Sequence, residues 1–443
     1  MFEISTFSCD ITPPMGTPLC GGVIEPAKVI DDPQYALGFV LQGGGDPLVL
    51  AVMDWVGVYG VAHDQFTEQL ADAANTSPQR VLLCSVHQHD APWQAPDAQA
   101  LLAECNRDIL LCDPDLFERT SQQVVEAMQN SLSKTERVTH VGLGRAQVKQ
   151  VASNRRLLGA DGKVAHMRNS RCYEPNIRAA PEGLIDPYLS ALTFFNDDRP
   201  VLTMNHYATH PMSHYGHGHL SSDFCGLARA RRLADDPQCL QVFVNGCAGN
   251  IGAGKYNDGS PEDRQGLIQR MYEAMTEASN RSERQPLNDV KFSHLLMRLP
   301  MREDPGFTHE DCVKALQDVD PPTQDYLDDA MRTGRIVQRD LRHSALALCW
   351  RKRSQEPINV PAVDLGVAKL VLLPGEPFIE FQLAAQQYCP DPPVIVIGYG
   401  NAGPGYLCTD IAYDQGGYEA NLPAYTGRGT EAVLHQTLRQ AVS

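Results

Sequence analysis

The sequence predicts an α/β fold of mixed β-sheets flanked by helices, and three observations carry that prediction. Short apolar runs rich in β-branched residues alternate with longer amphipathic stretches, the interleaving typical of α/β proteins. Several of the runs feed into loops rich in Gly, His or Pro. Two adjacent runs are joined by Asn196-Asp197-Asp198-Arg199, a composition that predicts a hairpin turn and hence an antiparallel pair within the sheets.

Strands are expected at Leu48–Val58, entered from the Gly-rich turn GGGDP, and at Val81–Val86, Ala191–Phe195, Val201–Tyr207, Leu240–Val244, Val371–Leu373 and Val394–Ile397. Their β-branched content and mostly short length favour strands over helices. Helices are expected at Ala62–Asn75, Pro114–Leu132, Pro261–Ser279, Gln324–Leu348, Glu376–Gln387 and Thr430–Val442. No repeat period or low-complexity tract interrupts them. The polar, Pro-containing stretch 302–325 reads as an insertion, and with no clear linker elsewhere residues 1–443 read as one continuous domain.

The bulk composition narrows the function classes. With 43% hydrophobic and 21% charged residues over 443 positions, the chain is an ordinary globular protein. A formal net charge of -17 argues against a nucleic-acid partner, because neutralising phosphates needs an excess of Lys and Arg. It also disfavours docking on anionic lipid. The opening MFEISTFS lacks the basic segment and apolar core of a secretory leader. No apolar run approaches the roughly 20 residues that span a bilayer, so no transmembrane segment and a cytoplasmic location are expected. Thirteen Cys without a CxxC pair fit a reducing compartment better than a disulfide framework. Cys84 and Cys247, in or beside apolar runs, read as small buried hydrophobes.

Four segments place reactive side chains where strands end, the usual location in α/β proteins. In Val81–Pro92 an apolar strand runs into His87-Gln88-His89-Asp90. In an extended backbone His87 and His89 would address the same face. Such a pair serves as metal ligands or as structural histidines. Asn205–Asp223 holds five of the fourteen histidines, at 206, 210, 214, 217 and 219. His210 precedes Pro211, which favours an extended backbone; His206 reads as a core histidine, and the last three as a solvated loop. In Leu372–Gln386, Glu376 follows the strand-breaking Pro374-Gly375, with Pro377 suited to a first helical position. Its carboxylate either complements a helix N-terminus or ligates a metal. Gly398–Glu419 matches a dinucleotide-binding glycine pattern formally, but Pro404-Gly405 stands where a helix must open. What remains is a Gly-rich loop that presents Tyr406, Tyr413 and Tyr418.

Taken together, these segments resemble the catalytic domain of the neutral/alkaline ceramidase family, in the same order along the chain. Asp10–Gly16 (DITPPMG) resembles the family's opening motif, and Asn154-Arg155 its NRS element. Ser85–Pro92 and Ala208–Ser213 are similar to its two histidine loops, and Asn245–Ile251 to its glycine-rich GD-V-S-P loop. Pro374–Glu376 resembles its PGE and Tyr406–Glu419 its tyrosine-rich tail.

That resemblance implies a ceramidase-like catalytic fold and a zinc ion held by His87, His210, Glu376 and Tyr406. It implies His89 as general base and acid, with Arg155 and Tyr418 polarising the scissile carbonyl. The expected activity is zinc-dependent cleavage of an amide bond in a small or lipid-like N-acyl substrate. A zinc-dependent esterase, lactonase or carbohydrate-directed hydrolase and a non-catalytic metal-binding protein are the alternatives. Serine-nucleophile catalysis is not expected, as the chain has no GxSxG element. Two departures bear on the substrate: Asn250 and Gly252 stand where the family's loop has an aspartate and a serine. With its end at Ser443 and no leader, the chain is also expected to lack the family's trailing immunoglobulin-like domain and its secretion. Ceramide is therefore less firmly implied than the chemistry.

Overall fold

The computed structural model describes residues 1–317 and 341–443. Three sheets form its frame. The first runs in the order Val81–Ser85, Leu48–Met53, Tyr35–Gln42, Phe2–Asp10, Glu136–Val138. The second runs Leu240–Asn245, Arg199–Tyr207, Tyr188–Asn196, His140–Gln147, Glu283–Pro286. The third runs Lys291–Met297, Ile358–Asp364, Lys369–Leu372, Val394–Ile397.

Each sheet is antiparallel except for one pair at its edge. Leu48–Met53 with Val81–Ser85, Arg199–Tyr207 with Leu240–Asn245, and Lys369–Leu372 with Val394–Ile397 are all parallel. The α/β class with mixed sheets is therefore the observed one, and the expected hairpin is present, with Asn196 opposite Arg199.

Side-chain alternation explains why the strands read as continuous apolar runs. Leu48, Leu50 and Val52 face the core shared with the second and third sheets, while Val49, Ala51 and Met53 face a second core beneath helices Gly60–Ala74 and Pro114–Ser131. In the third sheet, Leu370, Leu372, Ile395 and Ile397 join the shared core. Val371, Val394 and Val396 pack instead with residues of helices Leu341–Arg353, Ile379–Tyr388 and Thr430–Ala441. A strand covered on both faces has no polar side to display. Gly38 is the close-approach point of the first sheet: a Cβ there would lie 2.0 Å from the Leu50 carbonyl oxygen and 2.5 Å from the Phe7 ring, so only glycine fits.

The expected helices are found with small shifts, save two. Gln324–Leu348 lies partly outside the described residues, which show Leu341–Arg353; the proposed insertion 302–325 is likewise only partly described. The helix expected from Glu376 begins at Ile379 instead, because Glu376-Pro377 forms a short parallel bridge with Tyr406-Leu407. Pro377 is thus strand, not a first helical residue. The strands Phe2–Asp10, Tyr35–Gln42, His140–Gln147, Lys291–Met297 and Ile358–Asp364 were not anticipated. Several of them interleave polar residues with apolar ones and so lack a continuous apolar run. No helix among the described residues is long and apolar enough to cross a membrane.

The three parallel edges are tied to one another just beyond their C-terminal ends. Asn245, fully buried, donates from Nδ2 to the carbonyls of Val86 (3.1 Å) and Thr209 (2.9 Å) and accepts from the Thr209 N–H (3.2 Å). The Gly398 N–H donates to the Asn245 carbonyl at 3.0 Å, and the Ser85 N–H to the Tyr399 carbonyl at 2.9 Å. Replacing Asn245 by Ala orphans buried backbone groups from two segments, and such losses cost about 1–3 kcal/mol each. The variant is expected to lose about 3 kcal/mol in a denaturant titration; a loss below about 1 kcal/mol would show that this tie is dispensable.

Candidate metal and catalytic site

The loops that leave the three parallel edges converge. His87 lies two residues beyond Val81–Ser85, His210 three beyond Arg199–Tyr207, and Glu376 four beyond Lys369–Leu372. Gly375 sets up the last of these with φ +61; a Cβ there would sit 2.4 Å from the Gly405 carbonyl oxygen. The bridge between Glu376 and Tyr406 brings the tyrosine alongside.

His87 is not extended, as the sequence suggested, but left-handed, with φ +73. The turn this creates lets His89 Nδ1 donate to the His87 carbonyl at 3.0 Å and sets the two rings edge to face, 4.7 Å apart. The two histidines still meet at one site, by a tight turn instead of strand alternation.

Each ring is anchored through Nδ1. His87 Nδ1 is 2.7 Å from the Val56 carbonyl; His210 Nδ1 is 2.8 Å from that of Ala248 and 3.0 Å from that of Ile251. A carbonyl only accepts, so Nδ1 carries the proton and Nε2 of a neutral ring presents a lone pair. Glu376 Oε2 lies 3.1 Å from His87 Nε2 and 3.3 Å from His210 Nε2, and the Tyr406 hydroxyl lies 3.4 Å from His210 Nε2. His87 Nε2 and Glu376 Oε2 are buried without a hydrogen-bond partner among the described residues.

Two lone pairs and a carboxylate oxygen facing one another repel unless a proton or a cation lies between them. Burial resists the proton: it pushes His210 down to about 4, with Arg155 adding to the effect. Burial alone would raise the Glu376 carboxyl, and positive charge at His87 and His210 is what holds the group well below the usual carboxylate range; with both rings neutral, a cation between the three atoms would supply that charge. The donors fit a divalent cation. Ligand atoms at about 2.0–2.1 Å from a tetrahedral zinc stand about 3.3 Å from each other, close to the spacings here. His87, His89 and His210 also bring one ring nitrogen each within 4.8 Å of one another, a group that can hold a metal ion.

The other groups singled out by the resemblance stand beside this cluster. Arg155 donates from Nε to Glu419 Oε1 (2.7 Å) and from Nη2 to the Tyr406 hydroxyl (2.7 Å) and the Gly249 carbonyl (2.6 Å). Its Nη1 has no hydrogen-bond partner among the described residues. Burial works against its charge, but Tyr406 and Glu419 more than restore it, and the guanidinium stays fully charged. Tyr418 packs edge-on to Tyr406 at 5.9 Å and against the Arg155 guanidinium at 6.0 Å, with its hydroxyl likewise unbonded among the described residues. Burial, then His87 and His210, pushes His89 well below an ordinary histidine, so its ring is neutral at pH 7.

No protein-family model matches the sequence, and no curated protein does. Solved structures do. A neutral ceramidase from Pseudomonas aeruginosa superposes with a TM-score of 0.73 at 17% identity, over 100% of this chain and 74% of that one. A ceramidase complexed with C2 matches to the same extent. The fold is that of a neutral ceramidase. At 17% identity the likeness is one of fold, and it bears out the fold expected from the seven sequence motifs.

Within this ceramidase fold, several residues act that the sequence did not single out. Glu419 is fully buried and accepts from both Arg155 and Arg156, at 2.7 and 2.9 Å. Its position one residue after Tyr418 was the available signal. Asn250, noted only as a departure, accepts from the Ile379 N–H at 2.9 Å and donates to Glu380 at 2.8 Å. Burial raises the Glu380 carboxyl, and an aspartate at 250 would set a second negative charge against it; an amide serves where an acid would repel. His206 is the core histidine expected, with Nε2 2.9 Å from the Val396 carbonyl. His217 is exposed and His219 pairs with Asp31 at 3.0 Å, apart from the cluster.

Removing Glu419 leaves two buried guanidinium groups without their carboxylate, a loss that typically costs about 3–5 kcal/mol. Glu419→Ala is expected to destabilise the fold by that amount in equilibrium unfolding, with Glu419→Gln in between. Wild-type stability in the alanine variant would contradict the assignment.

Proposed function

We propose that the chain is a zinc-dependent amidohydrolase of the neutral ceramidase type, which uses water to cleave an N-acyl bond. The observation that carries this reading is the meeting of His87 Nε2, His210 Nε2 and Glu376 Oε2 at 3.1–3.3 Å. Beside them stand three side chains, His89, Arg155 and Tyr418, whose working atoms are unpaired among the described residues. The ligands would be His87, His210, Glu376 and Tyr406. A zinc ion held there would supply a nucleophile at neutral pH by lowering the pKa of water to about 7.

The chain's own groups divide the remaining work. His89, neutral and tied through Nδ1 to the His87 carbonyl, offers the Nε2 lone pair as the base that takes the water's proton. The same atom then returns the proton to the departing nitrogen, a role worth about 10²–10⁴ in rate. Arg155 Nη1 and the Tyr418 hydroxyl donate to the carbonyl oxygen as negative charge develops on it. Donors fixed in a buried site gain most when that charge appears, and losing one typically costs about 2.7–4 kcal/mol of barrier. Glu419 and the Gly249 carbonyl hold the guanidinium, so Nη1 needs no reorganisation at that moment.

The solved proteins that share the fold are named ceramidases, which favours an amide over an ester and a lipid-like acyl group. The proposal concerns the bond rather than ceramide itself, since Gly252 and Asn250 depart from the family's pattern. Thirteen free cysteines support a reducing, cytoplasmic setting.

Metal analysis of single variants tests the assignment. His87→Ala and His210→Ala are expected to lose stoichiometric zinc, and retention would refute their role. His89→Ala is expected to keep zinc while turnover of N-acyl substrates falls about 10²–10⁴-fold; loss of zinc would make His89 a ligand instead. In a panel of N-acyl, ester and lactone substrates, the N-acyl compounds are expected to turn over. Ester-only turnover, or bound zinc with no turnover, would contradict the proposal.

A further inference from the structure

Next to the cluster lies a tyrosine that the mechanism above does not use. Tyr399 follows the Val394–Ile397 strand within Gly398-Tyr399-Gly400, and its φ is +58. That left-handed conformation is uncommon for a bulky side chain and persists where the surroundings over-determine it. Here they do. The Tyr399 N–H donates to the Gly375 carbonyl at 3.0 Å, and its carbonyl accepts from the Ser85 N–H at 2.9 Å. One residue thus links the strand leading to His87 with the turn carrying Glu376. Glycine would adopt this backbone without strain, so the side chain calls for a reason of its own.

The ring supplies one. It is 1% exposed and lies flat on the His87 imidazole, centroids 4.3 Å apart and planes inclined by 26°. It meets His210 edge-on at 6.2 Å. The hydrogen bond from His87 Nδ1 to Val56 fixes one atom of the imidazole and leaves the ring free to tilt about that bond. A flat partner against one face blocks the tilt. The bond and the stack together aim Nε2 at Glu376.

We propose that Tyr399 is a positioning residue of the metal site, whose ring acts through His87 by holding the imidazole plane that a metal ligand needs. The proposal rests on the reading of His87 as a ligand. The Tyr399 hydroxyl has no hydrogen-bond partner among the described residues, so ring and hydroxyl can be tested apart.

The experiment measures zinc affinity by competition with a chromophoric chelator, together with the visible spectrum of the cobalt(II)-substituted protein. Wild type, Tyr399→Phe, Tyr399→Asn and His87→Ala are compared, with circular dichroism as the check on folding. Asn tolerates a left-handed backbone and so removes the ring without straining the turn. The Phe variant is expected to bind zinc within about threefold of wild type with an unchanged cobalt spectrum. The Asn variant is expected to bind about 10–100-fold more weakly, the range for groups that orient ligands, with a shifted spectrum. Tyr399→Leu replaces it, judged the same way, should the Asn variant not fold. A folded ring-deleted variant with wild-type affinity and spectrum overturns the proposal, as does a Phe variant impaired as much as the Asn one. If His87→Ala also binds zinc like wild type, the ligand reading falls and takes this proposal with it; if only the ring-deleted variant does, this proposal falls alone.

Discussion

The site depends on one constraint: three sheets, each ending in a parallel edge pair, are joined just past the C-terminal ends of those pairs. Parallel neighbours send their chains out in the same direction, so each edge delivers two loops to one place. The hydrogen bonds from Asn245 to Val86 and Thr209, from Gly398 to Asn245 and from Ser85 to Tyr399 fix the three edges against one another. His87, His210 and Glu376 each lie within four residues of the C-terminal end of a strand in one of these edge pairs. Side chains that stand far apart in sequence are thereby brought into one common geometry, which metal and catalytic sites need held to within about 0.5 Å.

The same arrangement concentrates electrostatic cost. A buried carboxylate facing two imidazole lone pairs is unfavourable by itself, and so is the buried Arg155 guanidinium. The chain compensates around the cluster rather than within it. Glu419 neutralises Arg155 and Arg156 together, carbonyl oxygens hold both Nδ1 protons, and the Arg155 Nη2 donates to the Tyr406 hydroxyl. What is left over is a set of donors that a divalent cation would complete.

Much of this was legible in the sequence because chemistry and pattern coincided there. The runs Val81–Cys84 and Val394–Ile397 are apolar throughout since both faces are covered; His87 stands out because Gln88, His89 and Asp90 follow it abruptly, and Glu376 because it follows the strand-breaking Pro374-Gly375. Strands such as Phe2–Asp10 escaped notice because polar residues at Glu3 and Ser8 break the apolar run. The left-handed turn at His87 was hidden as well: it is accompanied by a long-range bond from the His87 N–H to the Trp55 carbonyl, which no local pattern reveals. The contacts of Glu419 and Asn250 were not legible for a related reason. Their partners, Arg155 and Ile379, lie 264 and 129 positions away, and spacing along the chain carries no trace of such pairings. The helix expected at Glu376 gave way to a bridge with Tyr406 that is equally non-local.

The central claim is that distant side chains, brought together by the three sheet edges, bind one metal ion. Anomalous diffraction at the zinc edge, from crystals of protein purified without added metal, tests it most directly. The account predicts a single strong peak about 2.0–2.2 Å from His87 Nε2, His210 Nε2 and a Glu376 carboxylate oxygen. Crystals with these three side chains in place and no peak between them, or with the peak elsewhere in the molecule, would contradict it.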